Sequence, residues 1–93
     1  MSLTDEFEAA VARMNASSST PGPVEQLKLY GLFKQAKFGD TTEKRPGMTK
    51  VRARAKHDAW AGHSGTSSDD AMRKYMELVE GLKLIRTWSN RAS

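Results

Sequence analysis

The chain has 93 residues, a mass of 10.3 kDa and a mean hydropathy of −0.65, enough for one domain with a thin core. Fifteen Lys and Arg against eleven Asp and Glu leave a net charge of +4, and there is no cysteine. Disulfide frameworks, thiolate nucleophiles and cysteine-ligated metals are therefore excluded. The longest apolar run, Ala9 to Ala12, falls far short of the roughly 20 residues of a membrane-spanning helix. No basic segment leads into an apolar stretch at the start, so the expected compartment is the cytoplasm.

Periodicity predicts helices from end to end. Leu3, Phe7, Ala10, Val11 and Met14 recur at steps of three and four, which makes one apolar face on a first helix. Ser2 with Asp5 resembles a capping box at its start. Asn15 to Gly22 is rich in Ser, Thr, Pro and Gly and reads as a loose loop. Pro23 suits a first helical turn, and a second helix is expected over about Val24 to Lys37. Leu27, Leu29, Tyr30, Phe33 and Ala36 lie on or beside its stripe, and Gly39-Asp40 ends it.

A connector then spans Gly39 to Met48, after which Thr49 is expected to cap a third helix over Lys50 to Ala61. Its Val51, Ala55 and Ala59 share one face. Gly62 to Thr66 breaks the pattern, and Ser67 with Asp70 forms a second capping box. Asp69 and Asp70 also suit the positive end of a helix. The last helix has the steadiest period, with Met72, Tyr75, Met76, Val79 and Leu82 on one face. Gly81 weakens it by up to ~1 kcal/mol relative to Ala, but the stripe continues through Leu82 to Ile85 and Trp88. No strand alternation and no repeat are visible. The expectation is an all-α fold, a small four-helix bundle, with residues 1–93 as a single domain.

Tyr30, Phe33 and Lys34 stand at i, i+3 and i+4, so two rings and an ammonium share one helical face. Lys56 and Tyr75 repeat that pairing of cation and aromatic on later helices. A nucleotide with phosphates calls for this mix: rings to stack on a base, ammoniums for phosphate, a phenol to donate. Taken one at a time, a Tyr or Phe at helical spacing belongs more often to a core and a lone Lys to a solvated face, so only convergence in space would make a site.

Other features are structural at first reading. His57 and His63 fall on different helical faces, and no carboxylate pattern beside them suggests a metal site. Ser64 and Ser67 lack a His–acid arrangement, and Gly47, Gly62 and Gly65 are isolated, so neither nucleophilic catalysis nor a phosphate loop is expected. Trp60 and the methionines read as core. Lys50, Arg52, Arg54 and Lys56 spread around the third helix. With the basic pI of 9.6 they leave a small helical nucleic-acid-binding module as the alternative. The interspersed Glu43, Asp58, Asp69 and Asp70 argue against a surface that tracks phosphates.

The segments Leu29-Tyr-Gly-Leu-Phe-Lys-Gln-Ala36, Gly39-Asp40, Arg45-Pro-Gly-Met48, Ala55-Lys-His-Asp-Ala-Trp60, Gly65-Thr-Ser67 and Asp70-Ala-Met72 to Tyr75 resemble, in order and spacing, the acyl-CoA-binding protein family. The resemblance implies a four-helix bundle that holds a long-chain acyl-CoA without catalysis and without a cofactor. It places Tyr30, Lys34 and Lys56 on the phosphates and Phe33 where the family usually stacks a tyrosine on adenine. Tyr75 would lie against the nucleotide or the start of the acyl chain, with Gln26, Leu27 and Ala55 along the acyl groove. It also implies a monomer that meets acyl-CoA-using enzymes or membranes transiently and does not bind nucleic acid. Three further positions depart from the family pattern: Lys50 replaces an acid, Val51 a larger aromatic and His57 a tryptophan.

Overall fold

Four helices in chain order make up the computed structural model: α1 (Leu3–Ala16), α2 (Pro23–Phe38), α3 (Val51–Ala61) and α4 (Ser68–Ala92). The structure describes residues 2–16 and 21–92, with side chains as far as Leu82. The expected continuation of the α4 stripe to Ile85 and Trp88 therefore lies outside the described side chains.

The helix ends follow local chemistry. Ser2 Oγ accepts the Asp5 amide at 3.2 Å, and Ser67 Oγ accepts the Asp70 amide at 3.1 Å, so both expected caps satisfy an otherwise orphaned N–H. Asn15 and Ala16, expected in the loop, extend α1 instead. Pro23 occupies the first turn of α2. Gly39 closes that helix at φ 75°, its amide bonded to the Gln35 carbonyl at 3.0 Å. That backbone conformation favours glycine.

The start of α3 differs from expectation. Lys50, not Thr49, is the residue before the first turn, and no side chain caps it. The Lys50 amide donates to the Gly47 carbonyl at 3.0 Å. This turn leads the backbone straight into the helix and moves the cap position one residue past the threonine.

The core joins Phe7 and Ala10 of α1, Leu29, Leu32 and Ala36 of α2, and Ala71, Met72, Tyr75 and Val79 of α4. Phe7 meets Tyr75 edge to face at 5.1 Å between centroids, a favoured aromatic geometry. α1 packs on α4, whereas α2 packs on both α4 and α3. The apolar residues of α2 therefore divide between two faces. Leu29, Leu32 and Ala36 enter the core, while Leu27, Tyr30 and Phe33 are half-buried on the adjoining face.

Two expectations about core residues fail. Val51 and Met48 are both exposed, because the first turn of α3 and the connector before it lie beyond the contact with α2. Met72 is buried, and Met14 and Met76 pack partly against the core. Trp60 is buried as expected. Gln35 is fully buried; its Nε2 donates to Asp40 Oδ1 and to the Thr66 carbonyl, both at 2.8 Å. The Ser68 hydroxyl donates to the Ala36 carbonyl beside it.

α2 and α3 approach each other tightly at Gly31. A Cβ there would stand 2.3 Å from the Ala59 carbonyl oxygen and 3.2 Å from His63 Cδ2, so only glycine lets the two backbones meet. Gly31→Ala gains helix propensity of up to about 1 kcal/mol, yet overpacking costs about 1–3 kcal/mol. The variant is expected to melt several degrees lower in a thermal denaturation. An unchanged or higher melting temperature would contradict this contact.

Candidate ligand-binding site

From the crossing at Gly31 and Ala59 toward their N-terminal ends, α2 and α3 form two walls of a groove of about 950 Å³. α2 contributes Gln26, Leu27, Leu29, Tyr30 and Phe33, and α3 contributes Arg52, Ala55 and Lys56. Val11, Met14 and Asn15 of α1 close one side together with Pro21 and Pro23, and Tyr75 reaches in from α4. Among the described residues no acidic side chain lines it.

The polar end of the groove is built around Tyr30. Lys56 Nζ lies 5.5 Å and Lys34 Nζ 5.8 Å from the centre of its ring. Both ammoniums thus sit within reach of one aromatic surface. Lys34 also stands 4.8 Å from the Phe38 ring and 5.5 Å from the Trp60 ring. It borders a smaller hollow with Asp40, Thr42 and Glu43 rather than the main groove. Of the expected set, Tyr30, Phe33, Lys56, Tyr75, Gln26, Leu27 and Ala55 share one groove, and Lys34 joins them through Tyr30.

Two aromatic residues of the groove are also tied to the core. Phe33 stacks against Phe7 at 6.2 Å between centroids, with Lys37 Nζ 6.0 Å from its ring. Lys37 in turn pairs with Glu8 of α1. Burial raises the pKa of the Tyr75 phenol, which keeps it neutral and able to donate.

The connector is held against α3 by three side chains. Arg45 grips Asp58 with both ends of its fork, Nε to Oδ1 at 2.9 Å and Nη2 to Oδ2 at 2.7 Å, the bidentate geometry suited to a carboxylate. His57 Nε2–H donates to the Glu43 carbonyl at 3.0 Å, and the Trp60 indole donates to the Gly39 carbonyl at 2.8 Å. His57 is therefore used in fastening the chain. His63 sits at the Gly31 crossing, and no group of histidines and carboxylates among the described residues is disposed to hold a metal.

The basic residues of α3 do not form a stripe. Lys56 faces Tyr30, Arg52 lines the groove, Arg54 is half-buried 3.5 Å from the Pro46 carbonyl, and Lys50 is exposed at the helix start. Arg52 escaped the sequence reading, although it precedes Lys56 by one helical turn and so shares its face. Val11, Met14 and Asn15 carry no local signal, because only the packing of α1 brings them to the groove.

Comparison with known proteins agrees with this geometry. The family model described as acyl CoA binding protein matches residues 4–79. The chain belongs to that family. It is 41% identical over 93 residues to acyl-CoA-binding domain-containing protein 6 of Arabidopsis thaliana, covering 100% of this chain and 99% of the relative. It is 41% identical over 80 residues to acyl-CoA-binding protein homolog 1 of Caenorhabditis elegans, covering 86% and 93% respectively. Among solved structures, acyl-CoA-binding protein 2 of Oryza sativa superposes with a TM-score of 0.88 at 35% identity, covering 95% of this chain and 98% of that one.

Acid should loosen the scaffold in a defined order. Burial and the nearby Lys74 push the His63 pKa below its ordinary 6.5. The folded protein therefore disfavours a proton that the unfolded chain accepts, and stability present above pH 6.5 declines below it. The Gln35 side chain and the Gly65 amide hold Asp40 below its usual 3.8, and Arg45 does the same for Asp58. Both carboxylates stabilise the fold above that value, and their contribution is lost as pH falls through their lowered pKa values. Melting temperatures followed from neutral to acid pH are expected to fall in these two stages. His63→Gln should flatten the first stage and Asp40→Asn should weaken the second, to which Asp58 also contributes; unchanged profiles in both would refute the assignment.

Proposed function

We propose that this protein binds, buffers and carries long-chain fatty acyl-CoA esters without altering them chemically. The observation that supports this most is the Tyr30 ring, with two lysines close to it, at the end of an apolar groove. Lys34 and Lys56 pair with the phosphates of the CoA headgroup, and the Tyr30 hydroxyl donates to the same region. Charge-assisted bonds of this kind are about twice as strong as neutral ones. Phe33 offers its face to adenine, and Tyr75 packs against the nucleotide or the beginning of the acyl chain. Gln26, Leu27 and Ala55 wall the acyl tail.

The energetics divide between the two ends. Each shielded methylene contributes about 0.8 kcal/mol, so tail burial sets affinity, while the phosphate contacts set ligand identity and speed encounter. The names of the Arabidopsis and Caenorhabditis relatives, which specify acyl-CoA binding, support the same reading. The role requires no cofactor and no bond-making step. It suits a monomer in the cytoplasm that hands its cargo to acyl-CoA-using enzymes. No helix among the described residues is long and apolar enough to cross a membrane. The nucleic-acid alternative finds no support, since only Arg52 and Lys56 among the cations of α3 share a face, and that face belongs to the groove.

Calorimetric titration with palmitoyl-CoA is expected to saturate at micromolar ligand, and absence of heat and saturation would end the proposal. Lys56→Ala should weaken palmitoyl-CoA far more than free palmitate; equal losses would contradict a phosphate-pairing role. Phe33→Tyr restores a hydroxyl at the adenine face. A hydrogen bond of about 0.5–1.5 kcal/mol predicts roughly a twofold to tenfold gain in affinity for the CoA ester.

A further inference from the structure

Tyr30, Lys34 and Phe38 follow one another at single-turn steps on α2, so they share one face of the helix. Trp60 of α3 stands beside that face. It is buried, and its indole N–H is fixed on the Gly39 carbonyl at 2.8 Å. Lys34 Nζ lies among the three rings, 4.8 Å from the centre of Phe38, 5.5 Å from Trp60 and 5.8 Å from Tyr30. All three distances are within the range of about 6 Å over which a ring attracts a cation. Phe38 is the nearest of the rings, yet it is 66% exposed and takes no part in the core. Core packing therefore does not account for it.

Carboxylates are also at hand. Asp40 and Glu43 line the same hollow of about 260 Å³ as Lys34, Phe38 and Trp60. Even so, Lys34 takes part in no ion pair among the described residues. Asp40 Oδ1 is already occupied, accepting from Gln35 Nε2 and from the Gly65 amide, each at 2.8 Å. Lys37 one turn away behaves differently: its Nζ lies 6.0 Å from the Phe33 ring but is neutralised by Glu8. Aromatic faces hold an ammonium without supplying a counter-ion. A lysine held in that way keeps its charge available for a phosphate, whereas a salt-bridged one must first break its pair.

We infer that Phe38 is a positioning residue for the CoA headgroup: with Trp60 and Tyr30 it cages the Lys34 ammonium and holds it, unpaired, beside the Tyr30 end of the groove. The headgroup phosphate then meets a cation that is already ordered, which lowers the ordering cost of binding. Phe38 borders the hollow and not the groove, so it acts through Lys34. This role rests on the carrier reading and deepens it.

Nuclear magnetic resonance and calorimetry test the cage separately from the carrier reading. In the ligand-free protein, ring currents should shift the Lys34 Hε protons upfield. Phe38→Leu should return them toward the ordinary lysine position, and Phe38→Tyr should keep them shifted. In titrations with palmitoyl-CoA, Phe38→Leu should weaken binding about twofold to fivefold, the effect of one exposed cation–π contact, and Phe38→Tyr should restore it. In a Lys34→Met background the same leucine substitution should have no further effect, because its route runs through the ammonium. Wild-type affinity of the Phe38→Leu variant, or Lys34 protons at ordinary positions in the wild type, would overturn the cage and leave the carrier reading intact. A loss that persists undiminished in the Lys34→Met background would also overturn it, by giving Phe38 a purely structural part. Failure of the wild type to bind palmitoyl-CoA would end the carrier reading and the role of Phe38 with it.

Discussion

The site depends on how closely two helices can approach. Without a side chain at Gly31, the backbones of α2 and α3 meet at Ala59. That contact sets the distance between the walls of the groove. One helical turn from it, Lys56 lies over the Tyr30 ring. A wider crossing would move Lys56 and Ala55 away from Tyr30 and Leu27 together, because a helix moves as a rigid rod over such short lengths. The binding geometry thus follows from backbone sterics before any polar contact is formed.

Around that crossing, α2 serves two neighbours at once. One face supplies Leu29, Leu32 and Ala36 to the core shared with α1 and α4, and the adjoining face supplies Leu27, Tyr30 and Phe33 to the groove. Phe33 and Tyr75 belong to both, through their rings' contacts with Phe7. Packing therefore fixes the aromatic parts of the site in advance, which lowers the ordering cost of taking up a ligand. The ammoniums of Lys34 and Lys56 lie over the rings that border the site.

The connector between α2 and α3 has few apolar residues of its own, so polar clasps hold it. Arg45 to Asp58, His57 to the Glu43 carbonyl and Trp60 to the Gly39 carbonyl fasten it along the outer side of α3. At the other side of α2, Gln35 draws together Asp40 and Thr66 from inside the fold. These contacts explain how a histidine serves at position 57: the task there is to fasten a loop, and an imidazole N–H does it.

What could be read directly from the sequence was whatever is decided within a few residues. The existence and approximate limits of four helices, the serine caps at Ser2 and Ser67, the stop at Gly39 and the stripe of α4 all depend on local bonding and period. The ordered motifs from Leu29 to Tyr75 also carried the family resemblance and with it the principal site residues. Tertiary structure decided the rest. Thr49 lost its cap to a turn formed from Gly47, and Val51 lost its place in the core because α3 begins beyond the contact with α2. The α2 stripe split in two, and Arg52 and the α1 residues joined the groove. Each of these outcomes depends on which helix lies against which face, and periodicity within one helix holds no information about its neighbour.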